Sequence, residues 1–262
     1  MNMYWIYEIP NSLFFVLCVC FFTLFSMLGV LLTRKWAWRY VGFNEHQNDA
    51  ISYFFAGMGA IYGISLGLIA VGVWTTFNSI DDKVGSEAAA IAAEYRNFAG
   101  YPEPTRTELQ AELKDYTGYL IHEAWPAQQK GKLPLGGTPK INSFQKTLFG
   151  YEPKTNGQIA LHQQAITQFN SIVVFNRERI ANVTTALPAS VWWVLIFGGL
   201  VTLAFSWMFV IKKTGVHVII AGLIGALVGS LIFLIAAMDN PFRGDLSVSS
   251  DALELVYDQL MK

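Results

Sequence analysis

Four stretches of the chain are almost wholly apolar, and each is long enough to cross a bilayer, which takes about 20 helical residues. They cover roughly residues 12–33, 50–77, 190–211 and 215–238. The first reads SLFFVLCVCFFTLFSMLGVLLT and has neither a basic lead-in nor a small-x-small cleavage site. It is also too long for the core of a signal peptide, so it reads as a retained span.

Between the second and third runs the pattern changes to helical periodicity. Val84, Ala88, Ile91, Tyr95 and Phe98 recur at steps of four and three, one apolar helix face. No Pro interrupts the chain from the second span to this row, which predicts a single helix running on until Pro102 and Pro104. Thr105 starts a second helix, with Thr105 and Glu108 spaced as a capping box. Its apolar stripe is Leu109, Leu113, Tyr116 and Leu120, and Pro126 is expected to end it. Residues 126–157, rich in Pro and Gly, read as a loop with one short helix at 142–149. A third helix is expected over 157–187, where Ile159, Ile166, Val173, Ile180 and Leu187 fall every seven residues. The neighbouring seam, His162, Phe169, Asn176 and Val183, is mixed. A repeat of seven favours packing against another helix, within the chain or between chains.

The predicted architecture is an all-α membrane protein. A transmembrane hairpin (1–77) leads into a helical extramembrane bundle (78–189), then a second transmembrane hairpin (190–238) and a tail (239–262). Hydrophobic residues make up 53% of the chain and charged residues 14%, against about a quarter charged in soluble domains. That excludes disorder and a disulfide scaffold. A net charge of −1 gives no electrostatic footing for nucleic acid.

The charge distribution is more informative. Arg34, Lys35 and Arg39 follow the first span, and Lys212 and Lys213 lie between the third and fourth. The positive-inside rule puts both links in the cytoplasm. Both termini and the helical bundle then lie outside, in a multi-pass membrane protein. Residues 78–189 carry 11 basic and 11 acidic side chains and add no vote.

The small residues of the spans are ordered. Gly59, Gly63 and Gly67 lie on one face of the second span, widened by Ala56 and Ala60. Gly222, Gly225 and Gly229 give the fourth span a similar face. Such faces let helices approach closely in lipid, or line a passage. Phe54, Phe55 and Tyr62 in the same span are candidates for an apolar or aromatic constriction. No Asp, Glu, Lys or Arg lies inside a span, which argues against a charge-coupled transporter and permits a pore that gates by dewetting. Polar groups collect at span ends instead: Glu45, His46, Asn48 and Asp49 before the second span, Asp239 after the fourth. Asp49 near a helix start is explained by the helix dipole alone; in an oligomer a ring of such groups would also act on ions.

Chemistry-bearing motifs are few. Cys18 and Cys20 read as structural thiols inside the first span. The histidines His46, His122, His162 and His217 show no metal-ligand spacing, and no cofactor motif occurs. Gly63-Ile-Ser65-Leu-Gly67 matches a nucleophile elbow in letters only, since it lies within an apolar span.

Several motifs in order are similar to the bacterial bestrophin-like membrane proteins. They are His46-Gln47-Asn48-Asp49, then Tyr62 and Trp74, Glu87-Ala88, Pro188 before Trp192-Trp193, and Asp239-x-Pro241-Phe242-x-Gly244. The resemblance covers about residues 40–245. It implies a homo-oligomer, a pentamer, that conducts small ions, anions among them, through four spans per subunit. Bestrophins place their helical domain in the cytoplasm, opposite to the charge pattern of this chain. They also carry an acidic calcium clasp, for which Asp81-Asp82 supplies only a pair, so calcium gating is not carried over. Two functions follow: a passive homo-oligomeric channel lined by the second span, or a non-conducting scaffold or envelope sensor whose helical bundle binds a partner.

Overall fold

The computed structural model describes residues 4–40, 45–134 and 136–262. Every long element among them is an α-helix. In order these are α1 (Asn11–Tyr40), α2 (Glu45–Asn97), α3 (Thr105–Tyr119), α4 (Trp125–Gln129), α5 (Gly137–Phe149), α6 (Asn156–Asn182), α7 (Ala189–Ser206), α8 (Thr214–Met238) and α9 (Asp251–Leu260). Four of them, α1, α2, α7 and α8, are long and apolar enough to cross a membrane. The helix entered by the second span continues for 53 residues, a rise of about 80 Å at ~1.5 Å per residue. The chain divides into two compact units.

The first unit comprises Met1–Thr75, Ala186–Asp239 and Gly244–Leu246. Its centre is the packing of α1 against α8. A Cβ built at Gly225 would lie 2.5 Å from the carbonyl oxygen of Phe22, and one at Gly229 would lie 2.8 Å from that of Cys18. Backbone meets backbone there, and only glycine fits. Gly222 faces Met27 at 3.2 Å. Phe22, Leu203, Val228 and Ile232 form the buried apolar cluster beside this crossing. The third span stops at Ser206 rather than 211, because the chain after it is pulled out of the helical ladder by side chains. Asn48 donates to Val210 O at 2.8 Å and accepts from Val210 N at 3.2 Å. Arg34 donates to Ile211 O and Lys212 O, both at 3.2 Å.

The second unit comprises Thr76–Thr185, Asn240–Arg243 and Ser247–Lys262. Ile91, Phe98, Leu109, Leu113, Phe144, Leu148, Ile172 and Leu253 are buried in its core. Each such side chain contributes roughly 1.5–3 kcal/mol on burial. Three sequence expectations need correction here. Thr105 is a helical residue of α3 and caps nothing; Pro104 is the N-cap. The Glu103 carboxylate takes over the task, accepting from Thr107 Oγ1 at 2.8 Å and Thr107 N at 3.3 Å. The reciprocal capping box forms instead at Thr155 and Gln158, ahead of α6. Pro126 does not end the second helix. A π turn over Leu120–Ala124 resets the hydrogen-bond ladder, and Pro126 falls in the first turn of α4, where no N–H is needed.

The third correction concerns α6. It ends at Asn182, so Leu187 lies beyond it. Within the chain its buried face is His162, Ala165, Phe169, Ile172 and Arg179, whereas Ile159 is exposed. The mixed seam, extended by its neighbours, is the buried one.

Candidate functional site

The membrane part of α2 has few neighbours in its own unit. Only 6% of its apolar stretch is buried, against 39% for α8. Beyond the helix's own local backbone, none of the described residues comes within 4 Å of a Cβ built at Gly57, Gly59, Gly63, Gly67 or Gly72. Phe54 is exposed on the same helix, as are Tyr53, Ile61, Ile64, Leu68 and Trp74. The other two aromatic candidates turn toward α7. Phe55 stacks on Phe205 and meets Phe209 edge-on, with centroids 6.2 and 5.6 Å away. The Tyr62 hydroxyl donates to Leu195 O at 2.8 Å. Its ring fills the space that a Cβ at Gly198 would need, at 2.7 Å. Tyr62 is therefore the joint that fixes one side of α2 to α7 and leaves the glycine side open. Ser65 donates to Ile61 O of its own helix at 2.8 Å.

The polar groups at span ends have separate duties. Asn48 holds the turn at Val210, as described above. His46 and Asp49 are exposed; the Glu45 side chain lies outside the described residues. Asp239 accepts from the backbone N–H of Leu187 and from Trp192 Nε1, the latter at 3.1 Å. It ties the end of α8 to the segment entering α7. The residues that follow it also have uses. Phe242 is buried against Trp125, with centroids 5.7 Å apart. Arg243 donates to Lys130 O at 3.3 Å. Gly244 takes a φ of +79°, a conformation that costs a side-chain-bearing residue most.

The second unit holds two buried polar groups that composition did not reveal. Arg179 and Glu87 are 1% and 0% exposed and form a two-pronged ion pair, Nε to Oε2 at 2.6 Å and Nη2 to Oε1 at 3.3 Å. Asn176 Oδ1 accepts from the same Nη2 at 2.8 Å, and the guanidinium lies 5.8 Å from the Trp125 ring. Asn176, which sequence spacing put on a seam, thus orients Arg179. The only sequence signal was an Arg on a helix face otherwise carrying small and aromatic residues.

Glu94 is fully buried and accepts from Asn97 Nδ2 at 3.3 Å. It lies well past the apolar part of α2, which ends near Phe77. Desolvation pushes its carboxyl up to about 8. Nearby, the Tyr101 hydroxyl and His162 Nδ1 share a hydrogen bond of 2.8 Å, and burial holds His162 below the usual imidazole range. A carboxyl raised in the folded state carries no penalty below its ordinary 4.5 and a growing one from there to about 8. His162 acts with the opposite sign, its cost appearing as pH falls. Glu94→Gln isolates the carboxyl: the variant should gain thermal stability over the parent as pH rises from 5 to 8, measured by circular dichroism. A difference between the two proteins that stays constant across this range would show that Glu94 ionises freely. Among the described residues no cluster of metal-ligating side chains occurs.

Comparison with known proteins places this arrangement. The Bestrophin-like domain matches residues 20–253. The chain is similar in structure to a bacterial bestrophin homologue from Klebsiella pneumoniae, solved by zinc phasing, with a TM-score of 0.68 and 12% identity over 94% of this chain and 98% of that one. Two point mutants of a Klebsiella pneumoniae homologue align with TM-scores of 0.72 and 0.69, at 9% and 10% identity, each over 93% of this chain and 96% of the other. No curated protein sequence matches. With four membrane-length helices, the same fold and the domain spanning most of its length, the chain belongs to the Bestrophin-like family.

Proposed function

We propose that the chain is one subunit of a homo-oligomeric ion channel of the bacterial inner membrane, in which the open face of α2 lines or supports a narrow passive pore. The observation that carries this reading is the glycine face at Gly59, Gly63 and Gly67, where a built Cβ would meet no other part of the described residues within 4 Å. A glycine face turned to lipid gains nothing, whereas against another helix it permits close packing. Phe54, exposed on the same helix, is a candidate for an apolar constriction, although 3.6 residues per turn set it nearly opposite the glycine row; Phe55 and Tyr62 hold the helix against α7. With no charge inside the spans, a constriction of this kind closes by dewetting. The family resemblance gives the pentamer and anions as a permeant class; no cofactor enters the scheme. Residues 78–189, with their balanced charges, lie outside the bilayer in this scheme, between the second and third spans. Purified protein in liposomes should release a trapped halide, and its mass in detergent should be that of an oligomer. An intact oligomer that releases nothing would return the non-conducting scaffold reading.

The same proposal orients the protein, with the links at Arg34–Arg39 and Lys212–Lys213 in the cytoplasm. Lys130→Cys should then react with an impermeant thiol reagent on intact spheroplasts, over a background in which Cys18 and Cys20 are replaced by Ala. Labelling only after lysis would reverse the orientation.

A further inference from the structure

We infer that one end of the α1–α8 pair is a binding site for the headgroup of an anionic phospholipid, whose acyl chain lies along α1. Leu17, Phe21, Leu24, Leu28 and Leu31 recur at steps of four and three, and all are exposed on α1. The same stripe continues directly into Lys35 and Arg39, both exposed. An apolar stripe capped by cations on one helix face is complementary to an amphiphile with a negative head, and a free anion would use only its end.

The backbone that carries the cations is held in place. Arg34, bound to the carbonyls of Ile211 and Lys212, keeps the turn bearing Lys212 and Lys213 beside Lys35. Asn48 holds the same turn at Val210. Trp207 is seated on Gly29, where a Cβ would lie 2.0 Å from its ring. His217 Nε2 reaches Ser206 O at 3.0 Å. A short turn fixed by four side chains is preorganised, which lowers the cost of binding. Neither α1 nor residues 207–213 contain Asp or Glu; the nearest described acid along the neighbouring helix is Asp49. Trp36, Trp38 and Tyr40 are exposed at 51%, 37% and 67%, the amphipathic rings typical of headgroup level. The Arg34 guanidinium lies 5.5 Å from the Trp38 ring.

The test uses the full chain in detergent and native mass spectrometry, with phosphatidylglycerol and phosphatidylcholine of matched acyl chains. Phosphatidylglycerol adducts should survive activation that strips phosphatidylcholine, and raising salt should weaken only the former. Lys35→Gln with Lys213→Gln should lower the preference for phosphatidylglycerol about 30-fold, each basic residue near a headgroup contributing comparably. A charge-matched control, Lys132→Gln with Lys154→Gln in the second unit, should leave it intact. Equal retention of the two lipids, a preference indifferent to salt, or equal loss in control and test variants would overturn the inference. So would displacement of phosphatidylglycerol by millimolar inorganic phosphate, which would reduce the site to a free-anion site. None of these outcomes depends on conduction, so the channel reading stands or falls separately.

Discussion

Arg179→Met will cost the second unit about 3–5 kcal/mol, the usual penalty for leaving one member of a buried ion pair without its partner. Glu87 would remain at 0% exposure with two carboxylate oxygens facing an aliphatic chain. It would be driven to take up a proton, and the unit would become most labile at high pH. The companion double variant, Glu87→Leu with Arg179→Met, removes both charges and keeps the volume. Replacement of a buried pair by apolar groups is often neutral or better, so the double variant should recover most of the loss. Thermal unfolding is followed by near-ultraviolet circular dichroism, in which Trp125, beside the guanidinium, is one of the chain's eight tryptophans, so the variants are compared as differences from the parent. If the single and double variants melt alike, the cost is one of packing around Arg179, and the ion pair is not what holds α2 to α6.

Gly225→Leu and Gly63→Leu will fail in different ways, although the two glycines sit in similar apolar patterns. At Gly225 the first atom of any side chain would lie 2.5 Å from the Phe22 carbonyl oxygen. Backbone cannot yield as a flexible side chain does, so the α1–α8 crossing must separate. Overpacking typically costs about 1–3 kcal/mol, and parting two backbones belongs at or above the upper end. The expected result is protein that does not accumulate in the membrane. At Gly63 a Cβ would meet nothing within 4 Å among the described residues outside its own helix turn. Gly63→Leu should accumulate and keep its helix content, and its defect should appear in oligomer mass or in halide release. Leu68→Ile, exposed on the same helix, should be tolerated in both assays. Wild-type mass and flux in Gly63→Leu would mean that this face looks toward lipid, and the proposed pore would have to be sought elsewhere.

The sequence carried the spans well because membrane length and apolar composition are local properties. Two glycine rows were also legible, but not their difference. Whether a small-residue face is filled depends on a helix that may lie 200 residues away, as α1 does from α8, or on another chain. The misread face of α6 has the same cause. Aliphatic side chains such as Ile159 and Ile166 advertise burial, whereas His162 and Arg179 do not. Those two are buried because Tyr101 and Glu87, 61 and 92 residues distant, satisfy them. Pro126 misled for a different reason: a π turn absorbs the missing N–H, and nothing local in the letters distinguishes that from a helix end. The candidate residues of the membrane part were read as a group, and geometry divided them into an open set around Gly63 and a set at Phe55 and Tyr62 that packs on α7.

The pairing of α1 with α8 also governs how the protein can be made. The earliest of the four described spans packs against the latest of them, with Cys18 and Gly229 at the crossing. At roughly 5–20 residues per second, about 10–40 s pass between their synthesis. Throughout that interval the backbone at Cys18 and Phe22 has no partner in its own chain, and the early helix must be kept from pairing with the wrong neighbour. A chain truncated before residue 214 would insert three spans and strand the first. Separately expressed halves, split within the second unit, would find each other through this crossing, the hold of Tyr62 on α7, the turn tied by Arg34 and Asn48, and the core of that unit. Quality control of this protein therefore begins at its C-terminal hairpin, where a single lost glycine is enough to orphan the N-terminal span.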